Sequence, residues 1–189
     1  KKRVLVIDFD VQANLSILLG FTNARSFFDV LHSGESELAK YILNTQLNLW
    51  LLPSNSKMAL LSKKHLTEEN YEYLLREKLE SIKKLFDYIL IDTPPSGDFY
   101  TLNALLSSDM ALIPTTCDAL SMNGVKHIED LIQVIRHKTE HTLNFRIFVT
   151  LYRSDNTAAK VVLQKLRQRY GEKVLKTLVE YDAKMQESQ

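Results

Sequence analysis

Two stretches of the chain share one pattern, an unbroken aliphatic run that ends in acid. Val4-Leu5-Val6-Ile7 runs into Asp8, and Asp10 follows two residues later. Tyr88-Ile89-Leu90-Ile91 runs into Asp92, and Thr93-Pro94-Pro95 then stops the strand. Runs of this kind suit strands buried on both faces of a parallel sheet. Each acid then lies at the carboxyl end of its strand, the edge of an open α/β sheet where ligands bind. Side by side, the two strands bring three carboxylates to one rim. Such carboxylates repel one another and are costly to desolvate, so a cation is their natural partner. The plainer alternative is that acids merely end strands as turn formers. It weakens when two strands share the pattern and one carries Thr-Pro-Pro.

The rest of the pattern alternates strand and helix. Residues 15–19 read as a short helical turn ending near Gly20, and residues 26–31 as a helix with Ser26 as N-cap. Residues 47–52 read as a strand, with Trp50 in a core or semi-buried place. Residues 67–86 form the clearest predicted helix. Thr67 can cap it, and its apolar positions Leu74, Leu75, Leu79, Ile82, Leu85 and Phe86 recur at three and four residues. A helical turn at 102–106 precedes a buried strand at 110–114. A second long helix spans 121–138 through Val125, Ile128, Leu131, Ile132 and Ile135. A strand at 145–151, a helix at 157–170 ended by Gly171 and a strand at 173–179 complete the series. Strands alternating with helices of this length imply βαβ units: an α/β fold, doubly wound, with a mainly parallel sheet and helices on both faces. Without repeats or linkers, residues 1–189 read as a single domain.

Composition narrows the function classes. A chain of 189 residues with 45% hydrophobic content can build a real core. No apolar run nears a membrane span of roughly 18 residues. The net charge of +1 gives no global pull toward nucleic acid, so any such binding rests on a local patch. The single Cys117 excludes an internal disulfide, fits a reducing compartment and lacks a paired base. His65, His127, His137 and His141 show no metal-ligand spacing and read as surface residues.

The motifs carry a family resemblance. The segment from Lys2 to Asn14 (Lys-Arg-Val-Leu-Val-Ile-Asp-Phe-Asp-Val-Gln-Ala-Asn) resembles the second nucleotide motif of the ParA family. Tyr88 to Ser96 resembles its Walker B motif. Asn103-Ala104-Leu105, Asp109, Leu112-Ile113-Pro114, Val149-Thr150-Leu151-Tyr152, Tyr170-Gly171-Glu172-Lys173-Val174 and Lys176-Thr177 follow at family-like spacing. The resemblance implies a P-loop NTPase-like fold and an ATPase that uses ATP and Mg2+. It also implies a homodimer formed with ATP, non-specific DNA binding, a ParB-like stimulating partner, and a part in plasmid or chromosome partitioning. The expected place is the cytoplasm, in association with the nucleoid.

Departures from the family shape further expectations. The P-loop, Lys-Gly-Gly-x-Gly-Lys-Ser/Thr, is absent and is expected roughly 20–25 residues before Lys1, one βα unit away. Val11 stands for the usual proline, and Glu180-Tyr181-Asp182 stands where the family has Ile-Pro-Arg-Asn. The chain stops at Gln189, so both ends are expected to be truncated. Two alternatives stay open. One is a MinD-like positioning ATPase at a membrane, although no membrane segment lies in this chain. The other is a non-enzymatic dimerisation or DNA-binding piece without a P-loop.

Residue by residue, the resemblance makes Asp10 the catalytic acid, which orients and deprotonates the attacking water. It makes Asp8 a support of the magnesium shell or its waters, and Asp92 a magnesium holder through water. Gln12 and Asn14 become loop groups near phosphates or the dimer partner, with a plain turn role equally open. Pro114 matches a position near the base, with simple strand termination equally open. For DNA, Lys160, Lys165, Arg167, Arg169, Lys173 and Lys176 fall within twenty residues against one acid, Glu172. Lys165, Arg169, Lys173 and Lys176 are the candidate phosphate contacts, while a solvated helix face gives the same pattern.

Overall fold

The computed structural model describes residues 1–33, 37–94, 98–118 and 120–182. The chain divides into two compact units, Lys1–Ser107 and Ser108–Gln189.

In the first unit the strands are β1 (Val4–Asp8), β2 (Leu43–Gln46), β3 (Leu49–Leu52) and β4 (Tyr88–Asp92). The helices are α1 (Asn14–Leu18), α2 (Phe27–His32), α3 (Ala59–His65), α4 (Leu74–Leu79) and α5 (Phe99–Leu106). The sheet order is β2-β3-β1-β4. β1 runs parallel to β3 and β4, and β2 is antiparallel to β3. Leu5 and Ile7 of β1 are fully buried, while Val4 and Val6 on the other face are only partly covered. Phe9, just past the strand, is also fully buried. It meets Phe27 and Tyr100 edge to face, with centroids 5.3 and 5.7 Å away. Truncating such a ring costs about 3–5 kcal/mol, so these contacts hold the end of β1 in place.

The second unit holds β5 (Met110–Thr115), α6 (Ser121–Lys138), β6 (Asn144–Tyr152), α7 (Thr157–Tyr170) and β7 (Val174–Glu180). Its sheet, β5-β6-β7, is parallel throughout. α7 buries Ala159, Leu163, Leu166 and Tyr170, spaced to line one helix face. Asn156 caps it by accepting from the amides of Ala158 and Ala159. Gly171 ends it at φ 54°, a conformation open to glycine without strain. Among the described residues no helix is long and apolar enough to cross a membrane.

The α/β class, the parallel strands and the helices at 121–138 and 157–170 match the sequence reading. Three expectations fail, one of them the burial of the strand at 110–114, where Met110 is 47% and Leu112 53% exposed because β5 stands at the margin of its sheet. β4 is not buried on both faces: Tyr88 is 56% exposed and Leu90 50%, while Ile89 and Ile91 turn inward. Within its sheet only β1 lies beside it. The helix predicted over 67–86 is broken. Asn70 takes a left-handed turn at φ 61°, and 3-10 turns at Tyr71–Tyr73 and Lys83–Leu85 flank the short α4. The strand predicted at 47–52 forms as β3, and it is one arm of a hairpin whose other arm the sequence reading did not foresee. Asn48 at φ 65° turns the chain between β2 and β3, and the polar Asn44-Thr45-Gln46 of β2 hid the other arm. Trp50 is half-buried against Phe86, as expected.

Candidate functional site

The rim forms as the two aliphatic runs require. β1 and β4 pair in parallel register with Asp8 opposite Asp92, and the amide of Phe9 donates to the carbonyl of Asp92 at 2.8 Å. The ends of the two strands are therefore fastened where the acids stand. Asp10 follows two residues on, at the start of the turn into α1.

Asp8 is fully buried. Its Oδ2 accepts from the Ser16 amide at 2.8 Å and from the Ser16 hydroxyl at 2.6 Å. Its Oδ1 accepts from the Asp10 amide at 3.3 Å. Ser16 is fully buried as well, and its Oγ accepts from the Ser54 amide at 2.9 Å. The Ser54 hydroxyl donates to the Asp10 carbonyl. Asp8, Ser16 and Ser54 thus clamp the turn that carries Asp10. Asp10 is half-exposed, and its Oδ1 accepts from the Gln12 amide at 2.9 Å. Ala13 at φ 56° completes the turn, and Gln12 and Asn14 both face solvent.

Asp92 is exposed at the rim. Desolvation, then the charges of Asp8 and Asp10, hold its carboxyl above the usual range. Among the described residues no three His, Cys, Asp or Glu side chains converge as a ready-made metal site. The donor set still suits magnesium, which takes oxygen ligands and keeps several waters. Asp92 offers an exposed carboxylate beside two others, and a divalent cation would offset both the desolvation and the neighbouring charges that raise it. Pro95 and Ser96, at the end of the Walker B-like segment, lie outside the described residues.

The second unit presents its own cleft at the carboxyl end of β5 and β6. Pro114, Thr115, Thr116, Ser121, Gly124, Val125 and Thr150 line about 270 Å³. Pro114 does not stop its strand, which continues to Thr115; β5 lies at the margin of its sheet, where proline costs no ladder bond. Beside the cleft, Asp118 accepts from the amides of Leu120 and Ser121 at the start of α6. The Thr116 and Ser121 hydroxyls and these amides draw its carboxyl down to about 2.

The candidate DNA contacts are not alike. Lys165 and Arg169 are exposed on α7, and Lys176 is exposed on β7. Lys173 is half-buried, with its ammonium 4.0 Å from the centre of the Phe145 ring. Sequence reasoning missed Ser16, Ser54 and Asp118. A signal existed only for Asp118, an acid three residues before Ser121 at a helix start. Of the histidines read as surface, His127 and His137 are exposed. His141 is half-buried, its Nε2 2.9 Å from the Ser108 carbonyl, and His65 is buried. The His65 ring lies 5.2 Å from that of His32, centroid to centroid, and its Nδ1 is 2.7 Å from Oε2 of Glu68.

An AAA domain family model matches residues 1–145. The chromosome-partitioning ATPase Soj of Treponema pallidum is 27% identical over 189 residues, covering 99% of this chain and 74% of that protein. The chain belongs to the ParA family. The chromosome partitioning protein ParA of Caulobacter vibrioides, another member, is 27% identical over 194 residues, covering 99% of this chain and 72% of its own length. A solved structure titled cobyrinic acid a,c-diamide synthase from Mycobacterium smegmatis, with bound ADP and magnesium, superposes with a TM-score of 0.88. It is 29% identical, and the match covers 99% of this chain and 77% of that one. The family thus includes named ATPases, and the fold is that of P-loop NTPases of the ParA type.

Proposed function

We propose that this chain forms the hydrolytic rim of a partition ATPase that uses ATP and magnesium, dimerises with ATP and travels on DNA. The observation that carries this reading is the β1–β4 register, which sets Asp8 opposite Asp92 with Asp10 just beyond. Asp10, half-exposed on a clamped turn, orients and deprotonates the attacking water. Magnesium, when bound, supplies neutralising charge for the phosphates; Asp92 would hold it through water. Asp8 acts indirectly, since its oxygens already anchor Ser16 and the Asp10 amide. Gln12 and Asn14 serve phosphates or the dimer partner from their exposed places. Pro114 and the threonine-lined cleft around it suit the base. Lys165, Arg169 and Lys176 contact phosphates of any DNA sequence, with Lys173 giving weaker support from its seat on Phe145. A ParB-like partner stimulates turnover, and the site of action is the nucleoid in the cytoplasm.

The test is ATP turnover by the full-length protein with magnesium. Asp10→Ala should lower it by about 100-fold or more, the scale of a lost general base, and should prolong the ATP-bound dimer seen by size exclusion. Turnover equal to wild type would remove Asp10 from the reaction.

A further inference from the structure

The first unit holds a second set of metal-ligating side chains that the rim does not use. His32 ends α2 and His65 ends α3. Their ring centroids lie 5.2 Å apart, with the planes at 49°. Phe28 stacks on His32 at 4.1 Å, and His65 is 9% exposed. In each ring one nitrogen is already engaged. His32 Nδ1 lies 2.8 Å from the Phe28 carbonyl, and His65 Nδ1 lies 2.7 Å from Oε2 of Glu68. Both partners are oxygen acceptors, so Nδ1 carries the proton in each ring and the lone pair of the neutral imidazole falls on Nε2. Both Nε2 atoms are buried with no hydrogen-bond partner in the protein.

Two buried acceptors without donors, on rings 5.2 Å apart, are costly. The outer bonds, one to a carbonyl and one to a carboxylate, are those that orient metal-binding histidines. The spacing agrees as well. With Zn–N at about 2.0–2.1 Å and each ring centre about 1.1 Å behind its nitrogen, two imidazoles on one tetrahedral zinc have centres about 5.2 Å apart.

We propose that His32 and His65 bind a borderline divalent transition-metal ion, Zn2+ foremost, through both Nε2 atoms, with water in the remaining positions. Magnesium does not compete, because it takes oxygen ligands. The ion would staple the C-terminal ends of α2 and α3. α2 is already tied to the segment after β3, where Asp29 takes hydrogen bonds from Asn55 and Lys57. Ser54, next to Asn55, holds Ser16 behind Asp8. The staple would therefore brace the scaffold of the rim without touching its carboxylates.

Isothermal titration of the protein with Zn2+, with Mg2+ as control, tests the site. One Zn2+ should bind, and His32→Gln and His65→Gln should each weaken it by at least about tenfold. Glu68→Gln, altered at an exposed side chain, should weaken it by about tenfold through the looser His65 ring. His137→Gln should leave it unchanged. Absence of binding to wild type, or binding that survives both histidine changes, overturns the proposal. If either histidine variant does not fold, Cu2+-loaded wild type decides. Its electron paramagnetic resonance must show two coordinated imidazole nitrogens, and fewer overturns the site.

Discussion

Ser16 determines how Asp8 can act. Its amide and hydroxyl both bind one carboxylate oxygen, so the acid that the sequence marks most clearly is a fastener of the turn. The acids themselves were legible, because an aliphatic run ending in Asp has few other uses. Ser16 was not, since its bond spans eight residues and depends on Ala13 turning left-handed. Asp92 is the acid left under electrostatic load, and it yields a prediction. Its folded carboxyl holds a proton to a higher pH than the unfolded group, which titrates near 3.8. The folded state is therefore favoured below that range and loses stability as pH rises through the raised value. Asp92→Asn should remove this penalty. Without nucleotide or metal, melting at pH 7 should rise by about 1–2 °C, because the group faces solvent and is partly screened. The gain should shrink near pH 4 and in high salt. Calorimetry over pH checks this; a lower melting temperature at pH 7 would show that the ionised Asp92 carboxylate is not a net burden on the fold.

Among the elements, α6 and α7 were readable because each is long, amphipathic and bounded by polar residues that satisfy its first amides. The stretch at 67–86 has the same apolar spacing but a different outcome. Asn103, fully buried in α5, accepts from the Leu75 amide at 3.1 Å and donates to the carbonyls of Tyr71 and Phe99 at 3.0 Å each. It holds the first turn of α4 open to a neighbour, so tertiary hydrogen bonding overrides helical periodicity. Asn103→Leu keeps the branched shape but leaves the Leu75 amide and the Tyr71 carbonyl without this partner. It should cost about 2–4 kcal/mol, or about 5–10 °C in melting temperature. Thermal denaturation followed by circular dichroism measures this. A loss below about 1 kcal/mol would mean that α4 is held by its apolar face alone.

For the molecule as a whole, charge and edges decide what it meets. Lys165 and Arg169 lie four apart on one face of α7, so both can follow a phosphate backbone. Changing both to alanine should lower the salt slope of duplex binding, with ATP present, by about 1–2. Fluorescence anisotropy at several salt concentrations reads the slope, and an unchanged value would make this an ordinary wet helix face. The fold class was open to the sequence because the sheet is built from local βα units. The exposure of Tyr88 and Leu90 on β4 was not, because burial depends on what else is packed there. That strand also stands at the margin of its sheet, and the two margins differ. β2 is polar and irregular where Asn44 and Gln46 pair, which discourages any further strand. β4 offers Tyr88-Ile89-Leu90-Ile91, with no lysine, proline or bulge, and one row of its backbone groups has no partner within the sheet. The first unit can therefore grow in one direction only. A strand that joined there would run beside Asp92, so whatever extends the sheet also becomes a wall of the rim.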